Sequence, residues 1–186
     1  MNRAVFLDRD GVLNRAVIRD GKPFPPSALA ELKIFPDAAG ALADLRELGF
    51  LLIVVSNQPD VARGSQERSV VEAINSELKT VLQVDDFFVC YHDDRDACDC
   101  RKPLPGLILQ AAEKYSISLP DSFLVGDRWR DIGAGLRAGC TTVLIESGYD
   151  EGRPVEEPHA RVQSLREAVD WISKKMSDSN AALTGG

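Results

Sequence analysis

The sequence predicts an α/β fold in which a mainly parallel, doubly wound sheet carries helices on both faces. Five short apolar segments alternate with stretches in which apolar residues recur at helical spacing. Strands and helices that alternate in this way form βαβ units, which build Rossmann-like parallel sheets. The 186 residues, 44% of them apolar and 27% charged, are enough for one globular domain with its own core.

Each predicted strand is a run of consecutive apolar residues, as expected for strands buried on both faces. The runs cover residues 5–7, 50–55, 87–89, 123–125 and 142–145. Amphipathic helices are predicted from apolar residues on one face of residues 38–48, 70–82, 107–112 and 165–172. Gly49 supplies a stop for the first of these helices. We expect one domain over residues 1–175 and a frayed, disordered tail over residues 176–186.

Polar residues follow three of the predicted strands. Asp8 and Asp10 come after the first strand, Ser56 after the second and Asp127 after the fourth. Because parallel strands end at one edge of a sheet, these side chains should meet in one crevice. Carboxylates that crowd together repel each other unless they share a cation, and Mg²⁺ prefers such oxygen ligands. Each segment alone also fits an ordinary solvated turn, but their joint occurrence in this order favours a site.

A second cluster predicts a zinc site. Cys90, His92, Cys98 and Cys100 lie within eleven consecutive residues, the zinc loop 90–100. Zn²⁺ favours such a Cys₃His set, and four protein ligands make a closed, structural site. The alternative is that some of these are ordinary buried thiols. The ligand spacing differs from that of zinc fingers, so the loop is not a DNA reader. Cys140 stands apart and is expected to be a small core residue.

Charge and hydropathy exclude several other classes of protein. The net charge of −7 argues against nucleic-acid binding, which requires a basic face. No apolar run approaches the length needed to span a membrane. Asp8 and Asp10 interrupt the N-terminus before the apolar region of a signal peptide could form. We therefore expect a cytoplasmic monomer that binds neither nucleic acid nor membrane.

Four motifs in order make the chain similar to the haloacid dehalogenase superfamily of phosphohydrolases. The resemblance covers roughly residues 3–148. The matching residues are Asp8-Arg9-Asp10-Gly11-Val12 for the first motif, Ser56 for the second, Lys102 for the third, and Gly126-Asp127 with Asp131 for the fourth.

The resemblance implies a role for each motif. Asp8 is the nucleophile that forms an aspartyl-phosphate, while Asp10 protonates the leaving group and then activates water. Mg²⁺ lies between the Asp8 carboxylate, the Asp10 backbone carbonyl and Asp127. Ser56 and Lys102 bind the phosphoryl oxygens. These catalytic roles suit phosphoryl transfer, which needs positioning and charge neutralisation.

Asp131 is expected to act in a different way. It orients the metal shell or the catalytic lysine, Lys102, and does not bind metal directly. The alternative for Asp131 is a helix N-terminal charge that complements the helix dipole.

The segment 98–106 narrows the resemblance. Its sequence, Cys-Asp-Cys-Arg-Lys-Pro-x-Pro-Gly, resembles the zinc-loop subfamily that contains heptose-bisphosphate phosphatases and histidinol-phosphate phosphatases. Residues 56–58 and 61–64 are more similar to the heptose group, although Pro59-Asp60 replaces its usual Ser-Gly. The implied substrate is a phosphorylated metabolite, a sugar bisphosphate such as D-glycero-D-manno-heptose 1,7-bisphosphate cleaved at the 7-phosphate. The alternative is histidinol phosphate.

The spacing of the motifs also bears on substrate access. About 25 residues separate Gly11 from the first helix, too few for an independent cap domain. A capless, open site must obtain its selectivity from loops, of which residues 15–26 form one. Asn57, Arg63 and Arg101 are the candidate substrate contacts, the two arginines for a second phosphate. Surface solvation is the alternative for both arginines.

A hypothesis from another class is a phospho-acceptor or binding module without turnover. Such modules also place aspartates at strand ends. An acceptor has no need for an acid–base group two residues after its nucleophile, so Asp10 favours the enzyme.

Overall fold

The computed structural model describes residues 1–148 and 156–184. Its strands are β1 (Arg3–Leu7), β2 (Val17–Arg19), β3 (Lys22–Phe24), β4 (Phe50–Asn57), β5 (Asp86–Cys90), β6 (Phe123–Gly126), β7 (Thr141–Ile145) and β8 (Ala160–Val162). Its helices are α1 (Ala38–Glu47), α2 (Arg68–Leu82), α3 (Gly106–Tyr115), α4 (Trp129–Ala138) and α5 (Leu165–Thr184). No helix in these described ranges is both long and apolar enough to cross a membrane.

The main sheet has six parallel strands in the order β5-β4-β1-β6-β7-β8. β1 therefore lies between β4 and β6, and the carboxyl ends of these three strands share one edge. The chain first extends the sheet on one side of β1 and then returns to add strands on the other side. Ligands of open α/β sheets bind at such a reversal of strand order. The predicted fold class is confirmed.

Helices cover both faces of the sheet, as the continuous apolar strands require. In β1, Val5 and Leu7 face a core formed with α1, α2 and α5. Ala4 and Phe6 face the opposite core, formed with α3 and α4. All four side chains are fully buried, which is why the strand shows no alternation of apolar and polar residues.

Some elements were not among those predicted. β2 and β3 form an antiparallel hairpin within the loop expected over residues 15–26. This hairpin and a short 3₁₀ turn are the regular structure between β1 and α1, so no cap domain is inserted there. β8 and α4 are also additional. α5 continues to Thr184, past the expected start of the tail at residue 176, since no Gly or Pro interrupts that stretch. Residues 185 and 186 lie outside the described part.

Candidate active site and zinc loop

The candidate active site is a cleft of about 620 Å³ at the carboxyl edge of the sheet. Asp8 follows β1 directly, and its backbone N–H still donates to the carbonyl of Val125 in β6, at 3.0 Å. Ser56 lies near the end of β4, and Asp127 follows β6. The structure thus brings together the polar side chains that the sequence predicts at this edge. Asp8, Asp10, Ser56 and Lys102 all line the cleft.

Three buried carboxylates crowd together at the base of the cleft. Oxygen atoms of Asp8, Asp127 and Asp131 all lie within 4.8 Å of one another. Neither carboxylate oxygen of Asp127 has a hydrogen-bond partner, although both are buried. Burial, together with the charges of Asp8 and Asp131, raises the pKa of Asp127 well above its usual range. Arg128 Nε lies 3.9 Å from Asp127 Oδ1, too far for a hydrogen bond. Two buried oxygens that accept no hydrogen bond are suited to a hard cation such as Mg²⁺.

Glycine at position 11 makes this approach of Asp127 possible. Gly11 has a φ of +99°, in the region that favours glycine, and a Cβ on it would collide with the Asp127 carboxylate. The glycine of the first motif therefore leaves the space that the acidic group of the fourth motif occupies.

Lys102 joins the acidic residues. Its Nζ lies 2.7 Å from Asp8 Oδ1 and 2.6 Å from Asp131 Oδ1, and it also donates to the Val55 carbonyl at 2.7 Å. Burial lowers the pKa of Lys102, but the charges of Asp131 and Asp8 outweigh this effect and raise the pKa above its usual range. The group therefore stays cationic. Burial raises the pKa of Asp8 to about 6, although Lys102 opposes that rise. The other oxygen of Asp131 accepts the backbone N–H of Arg128 at 3.0 Å. These contacts support the expected orienting role of Asp131 and also its alternative, a role at the start of α4.

Asp10 lies within a cage of hydrogen-bond donors. Asn14 Nδ2 donates to Asp10 Oδ1 at 2.9 Å, and Gln58 Nε2 donates to Oδ2 at 2.9 Å. Arg9 Nε donates to the same Oδ2 at 3.1 Å. Burial raises the pKa of Asp10, but Arg9, Asn14 and Gln58 outweigh it and hold that pKa below the usual range. Sequence reasoning did not identify these three donors, although each lies within four residues of a motif residue.

Ser56 and Asn57 lie at the end of β4 with different surroundings. Ser56 Oγ is buried and accepts a hydrogen bond from Gln58 Nε2 at 2.9 Å. The amide of Asn57 binds the backbone of Lys102 twice, since its Nδ2 donates to the carbonyl at 3.0 Å and its Oδ1 accepts from the N–H at 3.1 Å. Asn57 therefore fixes the backbone of Lys102, and its predicted contact with substrate stays a prediction.

The zinc loop brings its four candidate ligands together. One ligand atom from each of Cys90, His92, Cys98 and Cys100 lies within 4.8 Å of all the others. His92 Nδ1 faces the thiols, 3.3 Å from Cys100 Sγ and 3.6 Å from Cys90 Sγ. Burial and the neighbouring thiols raise the pKa of Cys100 above its usual range. A bound cation would lower that pKa, because it favours the thiolate form, and its positive charge would offset the repulsion between neighbouring thiolates. Cys140 is buried in the core, as expected.

Arginines surround the mouth of the cleft. Arg101 is mostly buried, and its Nε donates to Asp94 Oδ1 at 2.8 Å while its Nη1 donates to the His92 carbonyl at 3.3 Å. Arg130, which was not predicted, lies 3.3 Å from the same Asp94 oxygen. Arg63 pairs with Asp93 at 2.6 Å. The zinc loop thus supplies the carboxylates that orient these arginines.

The fold and the aspartate site define a hydrolase of the haloacid dehalogenase class, and the HAD-hydrolase-like family model matches residues 99–168. A D-glycero-β-D-manno-heptose-1,7-bisphosphate 7-phosphatase from Helicobacter pylori is 33% identical, over 92% of this chain and 97% of that protein. A D-glycero-α-D-manno-heptose-1,7-bisphosphate 7-phosphatase from Photorhabdus laumondii is 34% identical, over 83% of this chain and 88% of that protein. The chain belongs to this family of heptose-bisphosphate phosphatases within the haloacid dehalogenase superfamily.

A solved structure agrees with this assignment. The crystal structure of D,D-heptose 1,7-bisphosphate phosphatase from B. bronchiseptica, complexed with magnesium and phosphate, superposes with a TM-score of 0.81 at 27% identity. The match covers 93% of this chain and 99% of that one.

Proposed function

We propose that this protein hydrolyses a phosphomonoester in two steps, with Asp8 as the nucleophile. The observation that carries the proposal is the buried carboxylate of Asp8, 2.7 Å from Lys102 Nζ and beside the Asp127 oxygens, which accept no hydrogen bond. A carboxylate can attack a phosphate dianion only where their mutual repulsion is neutralised. The lysine supplies one positive charge, and the acidic site is suited to bind a second.

The reaction begins with attack of Asp8 on phosphorus, which forms an aspartyl-phosphate as the bond to the leaving oxygen breaks. Asp10, whose pKa is low in the free site, must first take up a proton, which the negative phosphate beside it favours. It then gives that proton to the leaving oxygen. In the second step Asp10 takes a proton from water, which attacks phosphorus and releases inorganic phosphate and the Asp8 carboxylate. Ser56 and Lys102 hold the phosphoryl oxygens throughout. Bound by Asp8, Asp127 and the Asp10 carbonyl, Mg²⁺ would stabilise the negative charge on the phosphoryl group.

The preferred substrate in this proposal is D-glycero-D-manno-heptose 1,7-bisphosphate, cleaved at the 7-phosphate. Arg101 and Arg63 line the cleft that contains Asp8, so they can bind a second phosphate at the far end of the substrate. The relatives carry names for both anomers, so the proposal covers either anomer of the bisphosphate. Histidinol phosphate ranks second because its far end carries a cation, which the arginines would repel.

We further propose that Zn²⁺ binds Cys90, His92, Cys98 and Cys100 and has a structural role. Lys102 follows the last zinc ligand by two residues, so an ordered loop fixes the backbone that carries the lysine. The structure describes all four cysteines, and none of them forms a disulfide, which suits a reducing compartment and supports the cytoplasm as location. That the protein is a monomer stays a prediction.

Phosphate release from a panel of phosphomonoesters tests the proposed function. Heptose 1,7-bisphosphate should give the highest kcat/KM in Mg²⁺ buffer, and omission of Mg²⁺ should abolish the signal. Histidinol phosphate and sugar monophosphates serve as the comparison substrates. A higher kcat/KM for histidinol phosphate would overturn the choice of substrate, and turnover that does not depend on Mg²⁺ would overturn the metal site.

A further inference from the structure

Arg9 is a buried charge that the mechanism above does not use. It lies between the two aspartates of the first motif, and its side chain has no exposed surface. A guanidinium is costly to bury unless it is paired and hydrogen-bonded. Its partners therefore indicate why the chain keeps an arginine at this position.

Asp10 and Asn75 are the partners of Arg9. Arg9 Nη2 lies 2.9 Å from Asp10 Oδ2, and Arg9 Nε donates to the same oxygen at 3.1 Å. On the other side, Arg9 Nη1 donates to Asn75 Oδ1 at 2.8 Å. The guanidinium therefore connects the carboxylate of Asp10 to helix α2.

Asn75 is a polar residue on the buried face of α2. It is buried on the core-facing side of α2, between the apolar side chains of Ile74 and Leu78. Asparagine is a poor helix former, and a buried amide needs a partner. The hydrogen bond to Arg9 satisfies its oxygen and anchors the guanidinium to a rigid element.

We infer that Arg9, anchored by Asn75, is a positioning residue that aims the Asp10 carboxylate at the leaving-group oxygen. A group that transfers a proton must be held near its productive geometry by side chains that cannot rotate freely. Asn14 and Gln58 also bind Asp10, but Arg9 is the donor of this set that is itself tied to a helix of the core. The inference rests on the proposed acid–base role of Asp10.

A pair of matched esters tests this inference. 4-Nitrophenyl phosphate has a leaving group that departs without help from an acid, whereas the alcohol leaving from 4-nitrobenzyl phosphate must be protonated. Asn75→Ala frees the guanidinium, so it should lower kcat/KM for the benzyl ester by about tenfold or more, part of the full effect of acid–base catalysis. The phenyl ester should change little. Asn75→Asp keeps an oxygen for Arg9 and should restore the wild-type ratio of the two esters.

Two controls separate positioning from general damage. Ser122→Ala removes a buried hydroxyl that donates to the Ser118 carbonyl and accepts the Ala4 N–H at the amino end of the sheet, opposite the cleft. It should leave the ester ratio unchanged. Asn75→Ala should cause no further loss of the benzyl ester reaction when Asp10→Asn is already present, because Asn75 acts through Asp10.

The outcomes also separate this inference from the proposed function. Equal losses on both esters in Asn75→Ala, or an Asn75→Asp variant with the ratio of Asn75→Ala, would overturn the positioning role while leaving the phosphatase intact. A wild-type protein that hydrolyses neither ester in Mg²⁺ would overturn the proposed function and the inference together.

Discussion

Replacement of Asp127 by asparagine should stabilise the protein in Mg²⁺-free buffer and remove its stabilisation by Mg²⁺. Asp127 is one of three buried carboxylates within 4.8 Å of one another, and both of its oxygens lack a hydrogen-bond partner. Asparagine keeps the shape of the side chain but removes the charge. The folded state then loses a repulsion that the unfolded state does not contain.

The magnitude follows from the neighbouring Asp8. Burial raises its pKa from 3.8 to about 6. One pKa unit corresponds to about 1.4 kcal/mol, so ionised Asp8 costs the folded state about 3 kcal/mol at neutral pH. The protonated Asp8 carboxyl, in contrast, favours the folded state. This stabilisation is fully present below about pH 4 and is lost as the pH rises through about 6. The pKa of Asp127 is raised by burial and by the charges of Asp8 and Asp131, so ionised Asp127 carries a cost of the same sign, which asparagine removes. The cost at Asp8 sets only the scale. We expect a gain of about 1–3 kcal/mol above pH 6, or roughly 3–10 °C in Tm.

Thermal unfolding at pH 5 and pH 8 measures this effect. The buffer should contain neither Mg²⁺ nor a chelator, because a chelator would also remove the zinc that we propose for residues 90–100. The Tm difference between Asp127→Asn and wild type should be larger at pH 8, and added Mg²⁺ should raise the Tm of the wild type alone. Asp121→Asn, which removes an exposed carboxylate, is the charge-matched control. An Asp127→Asn variant that is less stable than wild type at pH 8 without Mg²⁺ would refute the reasoning.

Three further variants probe other parts of the site. Asp10→Asn should lower the rate of phosphate release by roughly 10²–10⁴, because it removes general acid–base catalysis. It should also lower the Tm, because it leaves the buried Arg9 guanidinium without its carboxylate. A near-normal rate would contradict the acid–base role. Cys98→Ser should lower the zinc content, measured by metal analysis. It should also reduce both stability and activity, because it loosens the segment before Lys102. Full activity without zinc would contradict the proposed structural role of the metal. Arg101→Ala should lower kcat/KM for the bisphosphate by roughly 10- to 150-fold, the value of a charge-assisted hydrogen bond, and should affect a monophosphate much less. Equal losses on both substrates would instead assign Arg101 to the reacting phosphate.

Much of the site could be predicted because strand ends and short motifs are local features of the sequence. Once the apolar runs are identified as parallel strands, Asp8, Ser56 and Asp127 must share one edge. The Cys₃His cluster was equally accessible to prediction, since its four residues lie within eleven consecutive positions. The close approach of Asp127 to Gly11 also follows from a motif glycine, although the sequence alone does not show what occupies the space.

Contacts between distant segments were beyond sequence reasoning. Asn75 reads as an ordinary polar interruption of an amphipathic helix, and its bond to Arg9 crosses 66 positions of the chain. From the sequence alone, Arg130 is interpreted as an ordinary surface charge. In the structure, α4 places it beside Asp94. The hairpin β2–β3 consists of three-residue strands, too short for a period of two to be recognised.

The central claim, covalent catalysis by Asp8, is tested most directly by trapping the intermediate. The enzyme is quenched with acid during turnover of its preferred bisphosphate in Mg²⁺, digested, and analysed by mass spectrometry. We expect one added phosphoryl group on the peptide that contains Asp8. The Asp8→Asn variant should fold normally and should show neither this adduct nor phosphate release. Sustained phosphate release by a folded Asp8→Asn variant would contradict this claim.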